Sequence, residues 1–115
     1  MNTNELLSRY AAGQRDFKNV NLIAANLRSA NLSGANLSGA ILTKANLTKA
    51  NFSYTNLTEA NLAQANLTET NFVKADLSGV DLKEAILDRT YLHGATLPEG
   101  LATLKGAKLD APILS

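Results

Sequence analysis

The sequence predicts an all-β solenoid in which the chain winds around one axis, with four five-residue sides to each coil. Two features of the chain carry this prediction. First, a large apolar residue stands at every fifth position: Phe17, Leu22, Leu27, Leu32, Leu37, Leu42, Leu47, Phe52, Leu57, Leu62, Leu67, Phe72, Leu77, Leu82, Leu87, Leu92 and Leu97. Second, the residue two places earlier is small or short, Ala in eleven of these seventeen units, with Arg15 the one misfit. A period of five advances about 500° on a helical wheel and makes no stripe, whereas a spacing of two puts both side chains on one face of a strand. Five is odd, so a straight strand would point alternate leucines to opposite faces. The chain must therefore bend within every unit.

Each unit reads as a minimal strand with a corner at its last two residues, Ala and Leu pointing inward. Three sides per coil would leave too little room for three leucines and three alanines, whereas four give a square section that these residues can fill at ordinary packing density. Phe52 and Phe72 lie twenty residues apart, as do Thr70 and Thr90, which fits four sides; Thr55 and Thr70 would fit three. With twenty residues per coil, the two phenylalanines are expected to stack directly, about 4.8 Å apart. Asn is a poor strand former, yet it occupies the middle of the unit at 21, 26, 31, 36, 46, 51, 56, 61, 66 and 71. Axial ladders of side-chain amides are expected to offset that propensity.

Both ends depart from the pattern. Asn2 followed by Glu5 at capping spacing, Leu6, Leu7 and Tyr10 on one side, and Gly13 beyond predict a short helix over 2–12 that covers the first coil. At the other end Pro98-Glu99-Gly100 is a turn signal, and the step from Leu97 to Leu104 is seven rather than five. The spacing of five resumes through Leu104, Leu109 and Leu114, so 100–115 is expected to form a partial last coil or a separate cap. The expected division is a capping helix over 1–14, seventeen repeats over 15–99, and this C-terminal segment.

The run of Ala-Asn-Leu-x-x units resembles the pentapeptide repeat family, whose motif is A(D/N)LXX, and the resemblance covers Arg15 to Glu99. The segment Tyr10-Ala-Ala-Gly followed by Arg15-Asp16-Phe17 resembles the lead-in of many members. The resemblance implies a right-handed quadrilateral β-helix of four to five coils with the central Leu or Phe facing inward. It also implies a module without known catalysis, in a family abundant in cyanobacteria, where some members affect cell differentiation.

Composition excludes much chemistry. There is no Cys, no Trp and one His, so a disulfide framework, a thiolate nucleophile and a multi-His zinc site are out of reach. No nucleophile elbow, phosphate-binding glycine loop or paired-His motif occurs. No enzyme activity, cofactor or metal is expected. The net charge of +1 points to no nucleic-acid partner. No apolar run approaches a membrane span of about 18 residues, and the polar start does not read as a signal peptide, so a cytoplasmic protein is expected. Six Asn-x-Ser/Thr tripeptides, at Asn31, Asn36, Asn46, Asn51, Asn56 and Asn66, read as products of the repeat and not as glycosylation sites. His93 reads as a surface residue, and Asp76, Asp81, Glu84 and Asp88 as a solvated set on different sides of the rod.

Outward apolar residues are the stronger hint of function, because repeat rods act by presenting a surface. Tyr54, Val73, Tyr91 and His93 are expected on one side in successive coils, and Ile23, Ile41 and Ala63 on another. They are the candidate surface for a protein partner, with the tyrosines as anchors. Charge is uneven: 15–54 carries five basic residues and one acidic, and 55–99 three basic and seven acidic. The expected molecule is a structural or protein-interaction module, monomeric or a weak homodimer through an exposed end. The alternative, implied by the resemblance alone, is a DNA mimic that binds type II topoisomerase. That role needs an extended acidic surface, which a chain with a basic N-terminal half does not offer.

Overall fold

The chain winds as a four-sided coil, seen here in a computed structural model that describes residues 1–99. The partial coil or cap expected at 100–115 lies outside the described residues. Parallel bridges join each unit to the unit twenty residues on, from Asp16 to Asn36 through Asn46 to Asn66 and on to Asp76 with Thr96. A register of twenty with units of five makes four sides per coil. The coils run 15–34, 35–54, 55–74 and 75–94, and a fifth begins at 95. The sides are numbered here from the unit beginning at Arg15, so that Leu37, Leu42, Leu47 and Phe52 sit on the first to fourth sides of the second coil.

The inward positions fill the axis. Leu32, Leu37, Leu42, Leu47, Leu57, Leu62 and Leu67 are fully buried, as are the alanines between them. Burying each leucine is worth about 1.5–3 kcal/mol before entropy is deducted, so these columns are the main source of stability. Threonine replaces alanine at 55, 70 and 90 without leaving a buried hydroxyl unpaired: Thr55 donates to Phe52 O, Thr70 to Leu47 O and Thr90 to Leu67 O, at 2.7, 2.7 and 2.8 Å. Phe52 and Phe72 are neighbours in one column, as the spacing of twenty requires, but they do not stack face to face. Their ring centroids are 5.8 Å apart and the planes 60° apart, the edge-on arrangement that aromatic quadrupoles favour.

The backbone donors of a unit each have a place. On the second side, Leu22 N–H donates along the axis to Ile41 O, Ile41 N–H to Val20 O and Ala24 N–H to Thr43 O, while Ala25 N–H closes the corner onto Leu22 O. The remaining donor, the residue just after the central Leu, bonds to the Asn side chain of its own unit. Asn21 Oδ1 accepts from Ile23 N–H, Asn56 Oδ1 from Thr58 N–H and Asn66 Oδ1 from Thr68 N–H, at 3.1, 3.0 and 3.1 Å. The expected axial amide ladders are therefore corrected. Among the described residues no asparagine bonds to another, because the side-chain oxygen is taken up two residues along its own chain as an Asx turn. Asp16, Asp76 and Asp81 serve in the same way, accepting from Lys18, Ser78 and Lys83 N–H.

Each corner has a positive φ at its second residue, the last of the unit. The sixteen corner residues run from Asn19 to Gly94, and only Gly34, Gly39, Gly79 and Gly94 are glycine; the other twelve, among them Ala24, Lys44, Tyr54 and Glu59, have φ between 50 and 62°. A left-handed conformation costs a non-glycine residue about 1–2 kcal/mol, and the two-residue corner leaves no other way round.

The helix α1, Thr3–Ala11, lies over the first coil. Asn2 Oδ1 accepts from Glu5 N–H at 2.8 Å, the capping contact that the Asn2–Glu5 spacing indicates. Leu6 is fully buried against the coil and Leu7 and Tyr10 pack beside it. Tyr10 donates its hydroxyl to Ser33 O at 2.6 Å, and the Arg15 guanidinium lies 3.8 Å over the Tyr10 ring.

Two expectations follow. Leu57→Asp places an unpaired charge in the middle of the leucine columns and should abolish cooperative thermal unfolding followed by circular dichroism. Ala24→Gly should stabilise, and Gly34→Ala destabilise, each by about 1 kcal/mol in chemical denaturation; a Cβ at Gly34 would meet nothing within 4 Å, so that change isolates the backbone.

Candidate interaction surface

Because every fold position recurs each twenty residues, outward side chains form axial columns. On the fourth side one column reads Gly34, Tyr54, Lys74, Gly94, the next Ser33, Ser53, Val73, His93, and the strand centres Asn31, Asn51, Asn71, Tyr91. The register thus brings Tyr54, Val73, Tyr91 and His93 onto one side. Tyr54 is 61% exposed and Tyr91 38%. The glycines at 34 and 94 leave the Tyr54–Lys74 pair standing proud, and Lys74 Nζ lies 5.9 Å from the Tyr54 ring centroid, within reach of a cation–π contact. The backbone behind them is held by Tyr54 N–H to Val73 O and Lys74 N–H to His93 O, both 2.9 Å. Lys74 was not singled out from the sequence, although its position twenty residues after Tyr54 marks it as the next member of the column.

Nearer the helix the same side is polar and pinned. Ser33 and Ser53 hydroxyls bond to each other at 2.9 Å, and Tyr10 reaches the Ser33 carbonyl. Ile23, Ile41 and Ala63 lie on the second side, Ile23 and Ile41 exposed and Ala63 half-buried. Ile41 stands at a strand centre and Ile23 at a corner one coil earlier.

The Asn-x-Ser/Thr tripeptides have a structural use. Thr48, Ser53, Thr58 and Thr68 donate their hydroxyls to Asn46, Asn51, Asn56 and Asn66 Oδ1 at 2.6–2.8 Å, beside the backbone bonds to the same oxygens. Asp76 does likewise with Ser78, whose hydroxyl and N–H together hold the Asp76 carboxyl below the usual carboxylate range. The acidic residues are dispersed, Asp76 on the first side, Asp81 and Glu84 on the second and Asp88 on the third, and no group of three or more metal-ligating side chains occurs among the described residues. The charge imbalance becomes axial: the first two coils carry the basic excess and the later ones the acidic. Among the described residues no helix is long and apolar enough to cross a membrane.

A four-sided solenoid of tandem five-residue units with an apolar, fully satisfied interior defines the class. The family model for pentapeptide repeats (eight copies) matches residues 16–53, 45–83 and 75–99, and the chain belongs to this family. Among solved structures it is similar to HetL, a pentapeptide repeat protein involved in heterocyst differentiation regulation from the cyanobacterium Nostoc, with 35% identity, a TM-score of 0.54, and 83% of this chain and 53% of that one covered. It is also similar in fold to a pentapeptide repeat protein from the Arabidopsis thaliana thylakoid lumen, with 24% identity, a TM-score of 0.63, and 84% and 63% covered. The chain thus spans less than two thirds of either relative. No curated protein sequence gives a significant match.

Asn46→Ala removes the acceptor of both Thr48 N–H and the buried Thr48 hydroxyl. Equilibrium denaturation should show a loss of about 1–3 kcal/mol, against a smaller loss for Asn21→Ala, which supports a backbone bond alone.

Proposed function

We propose that the chain is a non-catalytic protein-interaction module, a right-handed quadrilateral β-helix of four to five coils capped by 1–14, whose outward sides are its working parts. The observation that carries this reading is the fourth side, where Tyr54, Lys74, Val73, Tyr91 and His93 form one aromatic and basic surface on a rigid backbone. Exposed tyrosines of this kind supply contact area at little entropic cost and anchor protein interfaces. From Phe17 to Leu92 the inward side chains are accounted for by packing or by a hydroxyl–carbonyl bond, whereas Leu97, expected inward, is 38% exposed; the titratable groups are scattered over the outside. That arrangement supports binding over catalysis. A cytoplasmic setting is part of the same reading. The topoisomerase-directed alternative is not favoured, since the first two coils have a basic excess and offer no continuous acidic face.

The test is affinity capture from the source organism's lysate with the wild type beside the Tyr54→Lys, Tyr91→Lys double variant, both checked for β structure by circular dichroism. Both changes are outward, so the fold should be retained. A partner held by the wild type and released by the variant supports the reading; partners held equally by both would remove the fourth side from consideration.

A further inference from the structure

The third side is self-complementary. Its corner column reads Ser29, Lys49, Glu69, Arg89 from the first coil to the fourth, and the adjacent column Arg28, Thr48, Thr68, Asp88; the strand centres are Asn26, Asn46, Asn66 and Ile86. Reversing the order of coils turns each column into its electrostatic complement at the charged pairs: Arg28 meets Asp88, and Lys49 meets Glu69. Thr48 meets Thr68 and Asn46 meets Asn66 between them. We propose that two copies of this chain pack antiparallel through their third sides, about a two-fold axis that crosses the rod between its second and third coils.

The geometry selects this arrangement over its neighbours. A two-fold perpendicular to the rod and in the plane of contact reverses the coil order while keeping each column opposite itself, so an isologous contact forms. Arg28 and Asp88′, Lys49 and Glu69′, and their two symmetry mates make four unlike pairs, where primes mark the second copy. Sliding by one coil in either direction destroys the match: one slide sets Glu69 on Glu69′ and Lys49 on Arg89′, the other sets Lys49 on Lys49′. A two-fold along the rod keeps equal coils level and mirrors each column across the face, so Arg28 and Lys49, whose coils hold no acidic residue on this side, no longer meet one. Arg28 and Lys49 are exposed and make no ion pair among the described residues, so both are available. Arg89 faces Ser29′ and stays with Glu69 of its own chain, at 3.6 Å.

No other side matches as well in charge. The same operation on the first side sets Asp16 against Asp76′, and on the second it pairs Lys44 with Gln64′ and leaves Glu84 opposite Ala24′. The contact is small. Four coils at about 4.8 Å and a strand some 10 Å wide give roughly 200 Å² of flat face per partner, far below the roughly 800 Å² of a standard interface. The dimer is therefore weak, reversible and governed by salt. It uses a side of the rod that leaves the Tyr54 surface free, so one assembly presents two such surfaces.

The test is sedimentation velocity of the full chain up to about 1 mM, in about 10 mM and about 1 M salt, where the Debye lengths are about 30 and 3 Å. The wild type should gain mass with concentration at low salt and lose the gain at high salt. Arg28 and Asp88 are three coils apart within one chain, about 14 Å, so exchanging their charges reads contacts between chains. Arg28→Asp and Asp88→Arg, made singly, should each weaken association about tenfold or more, since two of the four attractive pairs become repulsive. The double exchange should restore it. Thermal melting of each variant shows that the fold is intact. A wild type that stays monomeric throughout, or an association indifferent to the single exchanges, overturns the proposal.

Discussion

Everything in this rod depends on bringing the chain back to the same face after five residues. An odd period forces a corner into each unit, and a corner of two residues forces one of them into the left-handed region. The protein accepts that strain at twelve of its sixteen corners, with glycine at the other four. In return each unit aims one large and one small side chain at the axis and leaves two donors aligned for the next coil and one for the coil before. The columns of leucine, worth about 1.5–3 kcal/mol per residue, outweigh a corner penalty of about 1–2 kcal/mol. Where the unit has Asn or Asp at its second position, that side chain closes the account by taking the N–H that neither the axis nor the corner satisfies.

The architecture was legible from two spacings. The period of five identified the inward residues, and the twenty-residue separations of Phe52 from Phe72 and Thr70 from Thr90 indicated four sides. Asn2, Glu5 and Gly13 marked the helix because capping chemistry is local. Two inferences failed for a shared reason: they treated stacked side chains as if stacking alone decided their contacts. The asparagines turn to a backbone donor two residues away, a nearer and better aligned partner than the next amide, and the phenylalanine rings tilt to meet edge-on. The left-handed corners were hidden because Lys, Glu and Gln occupy them as freely as Gly does, so composition carried no signal.

The outward face was partly legible. Tyr54, Val73, Tyr91 and His93 fall together by arithmetic alone once the coil is known to hold twenty residues. Lys74 and the charges of the third side follow from the same arithmetic, but they become conspicuous only when columns are compared, because a lysine taken singly resembles any solvated lysine. The interior positions are fixed by packing and the surface is a lattice of fixed positions, so the sequence at the two corner residues is free to vary without disturbing the columns.

The mismatch between a unit of five and a coil of twenty has a genetic corollary. Gain or loss of one unit preserves every inward column, since any Ala-Asn-Leu-x-x can follow any other, yet it rotates all later outward residues by a quarter turn onto the adjacent side. Only insertions of four units restore the faces. Lengthening by single units would be silent for folding and disruptive for recognition, so duplication in whole coils is the route by which such a chain can grow while keeping a surface it already uses.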